Sequence, residues 1–213
     1  MTNPAQEDIN KLTNKARIRY LDLSNRELVG EMNLKDFTNL KSINASNNKL
    51  ENLNFLNSLT NKDKIEKINC WGNGIKEIDL AEILTNFPNL KWLNCENNPL
   101  SAKNLDNLSS EQFGKLVQGI KDKKIRINSW KGTVLMDLLE YTQHLIKKGD
   151  SSQTQNAYKL QAILQNNSVE INKGSGNSKY TPLIIGGVVL TAFALVGIGY
   201  LWGKKRKGKE VLD

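Results

Sequence analysis

Apolar residues recur at fixed offsets along the first half of the chain. Ile18, Leu21, Leu23 and Leu28 are matched in spacing by Leu40, Ile43, Ala45 and Leu50, by Ile65, Ile68, Cys70 and Ile75, and by Leu90, Leu93, Cys95 and Leu100. Successive units begin 22, 25 and 25 residues apart, and self-similarity at such a period marks stacked supersecondary units. In each unit the second and third apolar residues flank one outward position, the period-two pattern of a short strand with one buried face. Each unit therefore predicts one strand of a parallel sheet. Second apolar clusters, Leu53, Leu56 and Leu59, then Ile78, Leu80, Ile83 and Leu84, are placed to cover the other side of the core. Stacking is required because a single unit cannot bury both faces alone.

Other apolar runs predict helices. Ile9, Leu12 and Ala16 lie at helical spacing and predict a short helical cap within residues 1–16. Ser109 and Gln112 form a capping-box pattern ahead of Phe113, Leu116, Val117 and Ile120, which predicts a helix over the other end of the core. Ile125 and Ile127 alternate as in a last strand. Leu135, Leu138, Leu139, Thr142, Leu145 and Ile146 mark an amphipathic helix of about four turns, and Ala157, Leu160, Ile163 and Leu164 a shorter one. Residues 109–165 thus read as a helical cap and connector, and residues 166–181, poor in apolar side chains, as a flexible tether.

The mean hydropathy of −0.49 conceals one long apolar run. From Tyr180 to Gly203 no residue is charged for 24 positions, and a helix of about 20 apolar residues matches the hydrocarbon thickness of a bilayer. This predicts a transmembrane helix over residues 182–202. Tyr180 and Trp202 flank it as interfacial aromatics, and Lys204, Lys205, Arg206 and Lys207 open a basic tail over residues 203–213. Gly199 and Gly203 are spaced for close helix approach. Two arguments about orientation disagree. The basic tail predicts a cytoplasmic C-terminus, which places the larger N-terminal part outside. Yet the first 30 residues hold no apolar stretch of the length a signal peptide needs, which favours a C-tail anchor with the repeat domain cytoplasmic. The apolar run followed by basic residues also resembles a bacterial surface-sorting tail, although the LPxTG-like sequence of such tails is absent.

The stretch over residues 17–108 reads LxxLxLxxNxL four times, with the motif asparagine at Asn48, Asn73 and Asn98 and Arg26 at that position in the first unit. It resembles the leucine-rich repeat family. The resemblance covers about half the chain and implies a strand-lined concave face used for binding. In the unit frame the motif asparagine is placed to satisfy turn backbone groups of the next coil. The expected architecture is α/β: a short leucine-rich repeat solenoid with helical caps, followed by α-helices and one transmembrane helix.

The outward strand positions form columns. One is Asp22, Asn44, Asn69 and Asn94, and its neighbours are Tyr20, Ser42, Lys67 and Trp92, and Ser24, Ser46, Trp71 and Glu96. Tryptophans aimed away from a core are frequent interface anchors, so Trp71 and Trp92, with Tyr20, Ser42, Lys67, Asn94 and Glu96, are the candidate partner-binding residues. The competing expectation is that the C-terminal helices fold back over them.

Charge narrows the partner. The net charge is +8, from 30 Lys and Arg against 22 Asp and Glu, but residues 17–108 are balanced at 12 of each sign, so the excess lies in the connector and tail. Lys121, Lys123, Lys124, Arg126 and Lys131 form its densest cluster outside the tail. Nucleic acid is therefore not the expected partner, and a homo-oligomer has no specific support. The one histidine, His144, has no cysteine near it, and Cys70 and Cys95 occupy equivalent repeat positions that predict small, buried, free thiols. No phosphate-binding glycine motif, metal set or cofactor site is present. The sequence predicts a membrane-anchored, non-catalytic interaction module or adaptor whose concave face binds a protein. The alternatives are a receptor-like or surface-displayed domain of opposite orientation, and the substrate-recognition part of a ligase-type enzyme.

Overall fold

Helix α1 (Pro4–Lys11) leads into strands β1 (Tyr20–Asp22), β2 (Ser42–Asn44), β3 (Lys67–Asn69) and β4 (Glu77–Asp79). Helix α2 (Leu80–Asn86), strands β5 (Trp92–Asn94) and β6 (Ser101–Lys103), helix α3 (Ser110–Lys121) and strand β7 (Ile125–Arg126) follow. The chain continues with α4 (Val134–Lys148), α5 (Ser151–Gly174) and strands β8 (Leu183–Ile185) and β9 (Val188–Leu190). This computed structural model describes residues 4–127, 133–149, 151–174, 183–185 and 188–190. The chain divides into two units, Met1–Leu164 and Gln165–Asp213.

In the first unit, five strands form a parallel sheet in the order β1-β2-β3-β5-β7. The register follows the apolar spacing, with Leu21 opposite Ile43, Ile43 opposite Ile68, Ile68 opposite Leu93 and Leu93 opposite Ile125. A one-residue slip would turn every buried side chain outward, and these central residues are all buried. A second parallel pair, β4 and β6, lies behind. Leu53, Phe55, Leu56, Ile78, Ile83 and Phe87 fill the space between the two layers.

Turn chemistry is regular where the chain leaves the main strands. Asn25, Asn47, Gly72 and Asn97 all have positive φ, between 54° and 67°, the left-handed region that asparagine and glycine tolerate best. Helix α3 starts on the capping box read from the sequence: Ser109 Oγ accepts the N–H of Gln112, and Gln112 Oε1 accepts the N–H of Ser109. Helix α4 is tied to the second layer, since Val134 N–H donates to the Leu100 carbonyl and Ala102 N–H to Asp137 Oδ2. The rings of Phe113 and Tyr141 meet edge to face at 5.5 Å and join α3 to α4.

The class is α/β, a parallel-strand sheet with helices, but the expected architecture is corrected in two respects. Behind the main strands the units are unlike: no helix or strand lies between β1 and β2, a 3₁₀ turn over Asn54–Ser58 follows β2, and the later units use α2 and α3. The result is a sheet domain with dissimilar helices and turns rather than a uniform repeat solenoid. The transmembrane helix is also overturned, for no helix among the described residues is long and apolar enough to cross a membrane. Within 182–202 the described residues are the strands β8 and β9, paired antiparallel. Their sequences, Leu183-Ile184-Ile185 and Val188-Val189-Leu190, are rich in β-branched residues and separated by Gly186-Gly187, a combination that favours a hairpin. Tyr180, Trp202, Lys204, Lys205, Arg206 and Lys207, the expected flanking residues, lie outside the described residues. The tether expected from residue 166 is helical as far as Gly174 in α5. After Ser151 no glycine or proline interrupts the sequence before Gly174, so nothing in it ends the helix earlier.

Candidate functional site

The outward face of the main sheet is ordered by polar side chains before any partner is considered. Asp22, Asn44, Asn69 and Asn94 stand in register on β1, β2, β3 and β5. Each accepts through Oδ1 the backbone N–H two residues on, from Ser24, Ser46, Trp71 and Glu96, at 3.0–3.2 Å. The side chains also join across strands: Asn44 Nδ2 donates to Asp22 Oδ1 at 3.2 Å, and Asn69 Nδ2 to Asn44 Oδ1 at 3.0 Å. The Ser24 backbone N–H and hydroxyl, both donating to Asp22, hold its carboxyl below the usual carboxylate range.

A different ladder lines the turn behind this face. Asn48 Nδ2 donates to the carbonyls of Leu23, Ala45 and Ser46, while its Oδ1 accepts the N–H groups of Arg26 and Leu28. Asn73 and Asn98 repeat the arrangement. These asparagines therefore reach their own turn and the preceding coil, not the following one. Spacing alone does not reveal that direction.

The candidate binding residues divide by exposure. Tyr20 is 56% exposed and Trp71 37% exposed, and Lys67 is exposed beside Trp92 on the neighbouring strand. Ser42, Trp92 and Glu96 are half-buried. Asn94 is buried at 6% exposure with its Oδ1 occupied by Glu96 N–H, so it supports the face rather than offering a surface of its own. Trp71 lies open on the face, and α4 is fastened instead to the edge of the second layer at β6.

Several charged residues on this side were not among the candidates. Arg126 on β7 stands opposite Asn94 and donates to the carboxylate of Glu96. Lys124, just before β7, is exposed and lies 3.7 Å from Asp122. The alternation of Ile125 and Ile127 already placed these two as outward positions. At the beginnings of the strands, Glu66 accepts from Lys41 at 2.9 Å and from Lys91 at 2.8 Å. Those bonds, Lys91 first and Lys41 second, lower its carboxyl to about 2.

Cys70 and Cys95 are buried, free thiols. The neighbouring Cys95 and burial together push the Cys70 thiol well up. On the opposite side of the domain a groove of about 300 Å³ runs over Leu53, Leu56, Ile78 and Phe87. Its rim acids Glu51 and Glu77 pair with Lys76 and Lys103 at 3.0 and 3.1 Å. His144 is exposed on α4, and among the described residues no group of His, Cys, Asp and Glu is assembled for a metal ion.

Compared with known proteins, the chain matches no family model, and no curated protein matches it.

Proposed function

We propose that this chain is a non-catalytic binding module of the leucine-rich repeat type, that the outward face of its main sheet holds a protein partner, and that residues 182–202 attach it to a membrane. The observation that carries the binding role is the exposure of Trp71 and Tyr20, 37% and 56%, on a face whose central Asp22, Asn44 and Asn69 column is tied together by internal hydrogen bonds. Large aromatic rings on a rigid sheet lose little conformational entropy on docking and contribute disproportionately to interfaces. The repeat reading is supported by four in-register strands 22, 25 and 25 positions apart and by the asparagines that bond successive coils. The membrane role is supported by 24 uncharged positions followed at once by Lys204 to Lys207.

The test of binding compares the wild type with a Trp71→Ala, Trp92→Ala double variant in quantitative affinity capture from cell extract, with far-ultraviolet circular dichroism as a folding control. Partners enriched by the wild type and lost by the double variant are expected. Unchanged enrichment with native dichroism would refute the assignment of this face. Deletion of residues 182–202 is expected to move the chain from the membrane fraction to the soluble one, and an unchanged distribution would remove the membrane role.

A further inference from the structure

The outward sheet face is not electrically uniform. Around Tyr20 one cation and one anion balance: Arg19 precedes it and Asp22 lies two residues along the same strand. Toward Trp92 cations predominate: Lys67 on β3 stands directly opposite it, Lys91 precedes it, Arg126 lies on the next strand with Lys124 just before it, and Lys41 and Lys64 line a hollow with Lys91 at the strand beginnings. Four carboxylates belong to the same region, Glu66, Asp63, Asp122 and Glu96, so positive charge remains in excess.

The cations are committed to different degrees. Arg126 is held by Glu96, and Lys124 faces Asp122. Lys41 and Lys91 share the single carboxylate of Glu66, which leaves one ammonium uncompensated. Among the described residues Lys64 donates only to the neutral Thr38 carbonyl and Asn39 Oδ1. Lys67 is exposed and has no ion partner among the described residues. A lysine with no ion partner among the described residues therefore stands on the strand next to that of the half-buried Trp92, the two backbones about 4.8 Å apart, with Trp71 open on the same face.

From this arrangement we infer that the partner docks through an extended acidic peptide segment laid across the strands, a carboxylate side chain on Lys67 and an adjacent apolar side chain against Trp92 and Trp71. The inference rests on the reading of this face as the binding surface. Five strands span about 19 Å from β1 to β7, the length of about six extended residues, so a short segment crosses the whole face. An acidic peptide fits better than a nucleic acid. A phosphate backbone needs a run of uncommitted cations, and here Glu66, Glu96, Asp122 and Asp63 are interspersed among them and would repel it. Isolated carboxylates can select the uncommitted ammonium of Lys67.

The experiment uses the full chain in mild detergent and two fluorescent synthetic peptides, one of glutamates flanking leucines and the other with glutamine for each glutamate, followed by anisotropy at low and moderate salt. The glutamate peptide is expected to bind at least about tenfold more tightly at low salt. Lys67→Glu should remove about that factor, whereas Trp92→Ala should weaken both peptides. Equal affinity for the two peptides, or an unchanged affinity in a natively folded Lys67→Glu variant, overturns the acidic preference. If both peptides bind equally and both are lost on Trp92→Ala, the binding face stands and only its charge selectivity fails. If Trp92→Ala affects neither peptide, the face itself is misassigned. A single-stranded oligonucleotide that displaces the glutamate peptide and binds more tightly also overturns the inference.

Discussion

Asn98 donates through Nδ2 to the carbonyl of Cys70, 28 positions earlier, at 3.0 Å, and accepts through Oδ1 the backbone N–H of Ile75, also at 3.0 Å. One buried amide thus closes its own turn and the turn of the preceding coil. Asn73 and Asn48 do the same one and two coils earlier, so coil-to-coil cohesion has a polar component beside the apolar core.

Removing that amide should be costly. In Asn98→Ala the carbonyls of Cys70 and Cys95 lose the amide donor, that of Glu96 keeps only the Gly72 N–H, and Ile75 N–H loses its acceptor in a site only 1% exposed. Buried polar groups left unpaired cost roughly 1–3 kcal/mol, so a loss of about 2–3 kcal/mol is expected from urea unfolding. Asn98→Asp should be at least as damaging, because it turns a carboxylate toward three carbonyl oxygens. A loss below about 0.5 kcal/mol in both variants would show that water replaces the amide.

Gly119 on α3 separates two opposing effects. Alanine in a helix interior is favoured over glycine by about 1 kcal/mol, but a Cβ at Gly119 would lie 2.5 Å from Ile125 Cδ1 and 3.3 Å from its Cβ. Overpacking of that kind costs roughly 1–3 kcal/mol, so Gly119→Ala should destabilise the domain. Adding Ile125→Ala should relieve the clash, and the pair is expected to be less destabilising than the sum of the single variants. Strict additivity in a double-mutant cycle would refute the contact.

Glu66 makes a pH prediction with a definite sign. Lys91 and Lys41 lower its carboxyl to about 2, below the roughly 4.3 of an unfolded glutamate. The unfolded chain therefore binds the proton first as pH falls. The stabilising contribution is full above about 4.3, declines as pH drops, and is gone once the folded carboxyl also protonates near 2. Because the group is solvent-accessible, added salt should shrink the effect. Glu66→Gln is expected to flatten this part of the stability profile without changing its shape above pH 5 or so. An identical acid limb in wild type and variant would exclude the ion pairs as its source.

The spacing of apolar residues determined much of this domain by itself. Leu21, Ile43, Ile68 and Leu93 fall at one position of each unit, and in a strand of period two that position dictates which side chains face inward and how neighbouring strands align. The outward columns containing Tyr20, Lys67, Trp71 and Trp92, the capping box at Ser109 and Gln112, and the last strand at Ile125 were legible for the same reason: each depends on local periodicity. Tertiary structure decided the rest. Whether an outward residue is exposed depends on what stands beside it, so Asn94 is buried while Tyr20 and Trp71 are open. The pairing of Glu66 with two lysines 25 positions away on either side, and of Arg126 with Glu96, exists only once strands from separate units lie about 4.8 Å apart. The apolar run after Tyr180 satisfies a length criterion for a membrane helix, but hydrophobicity does not choose between helix and strand. β-branched residues on either side of Gly186-Gly187 set the backbone of β8 and β9 as strands.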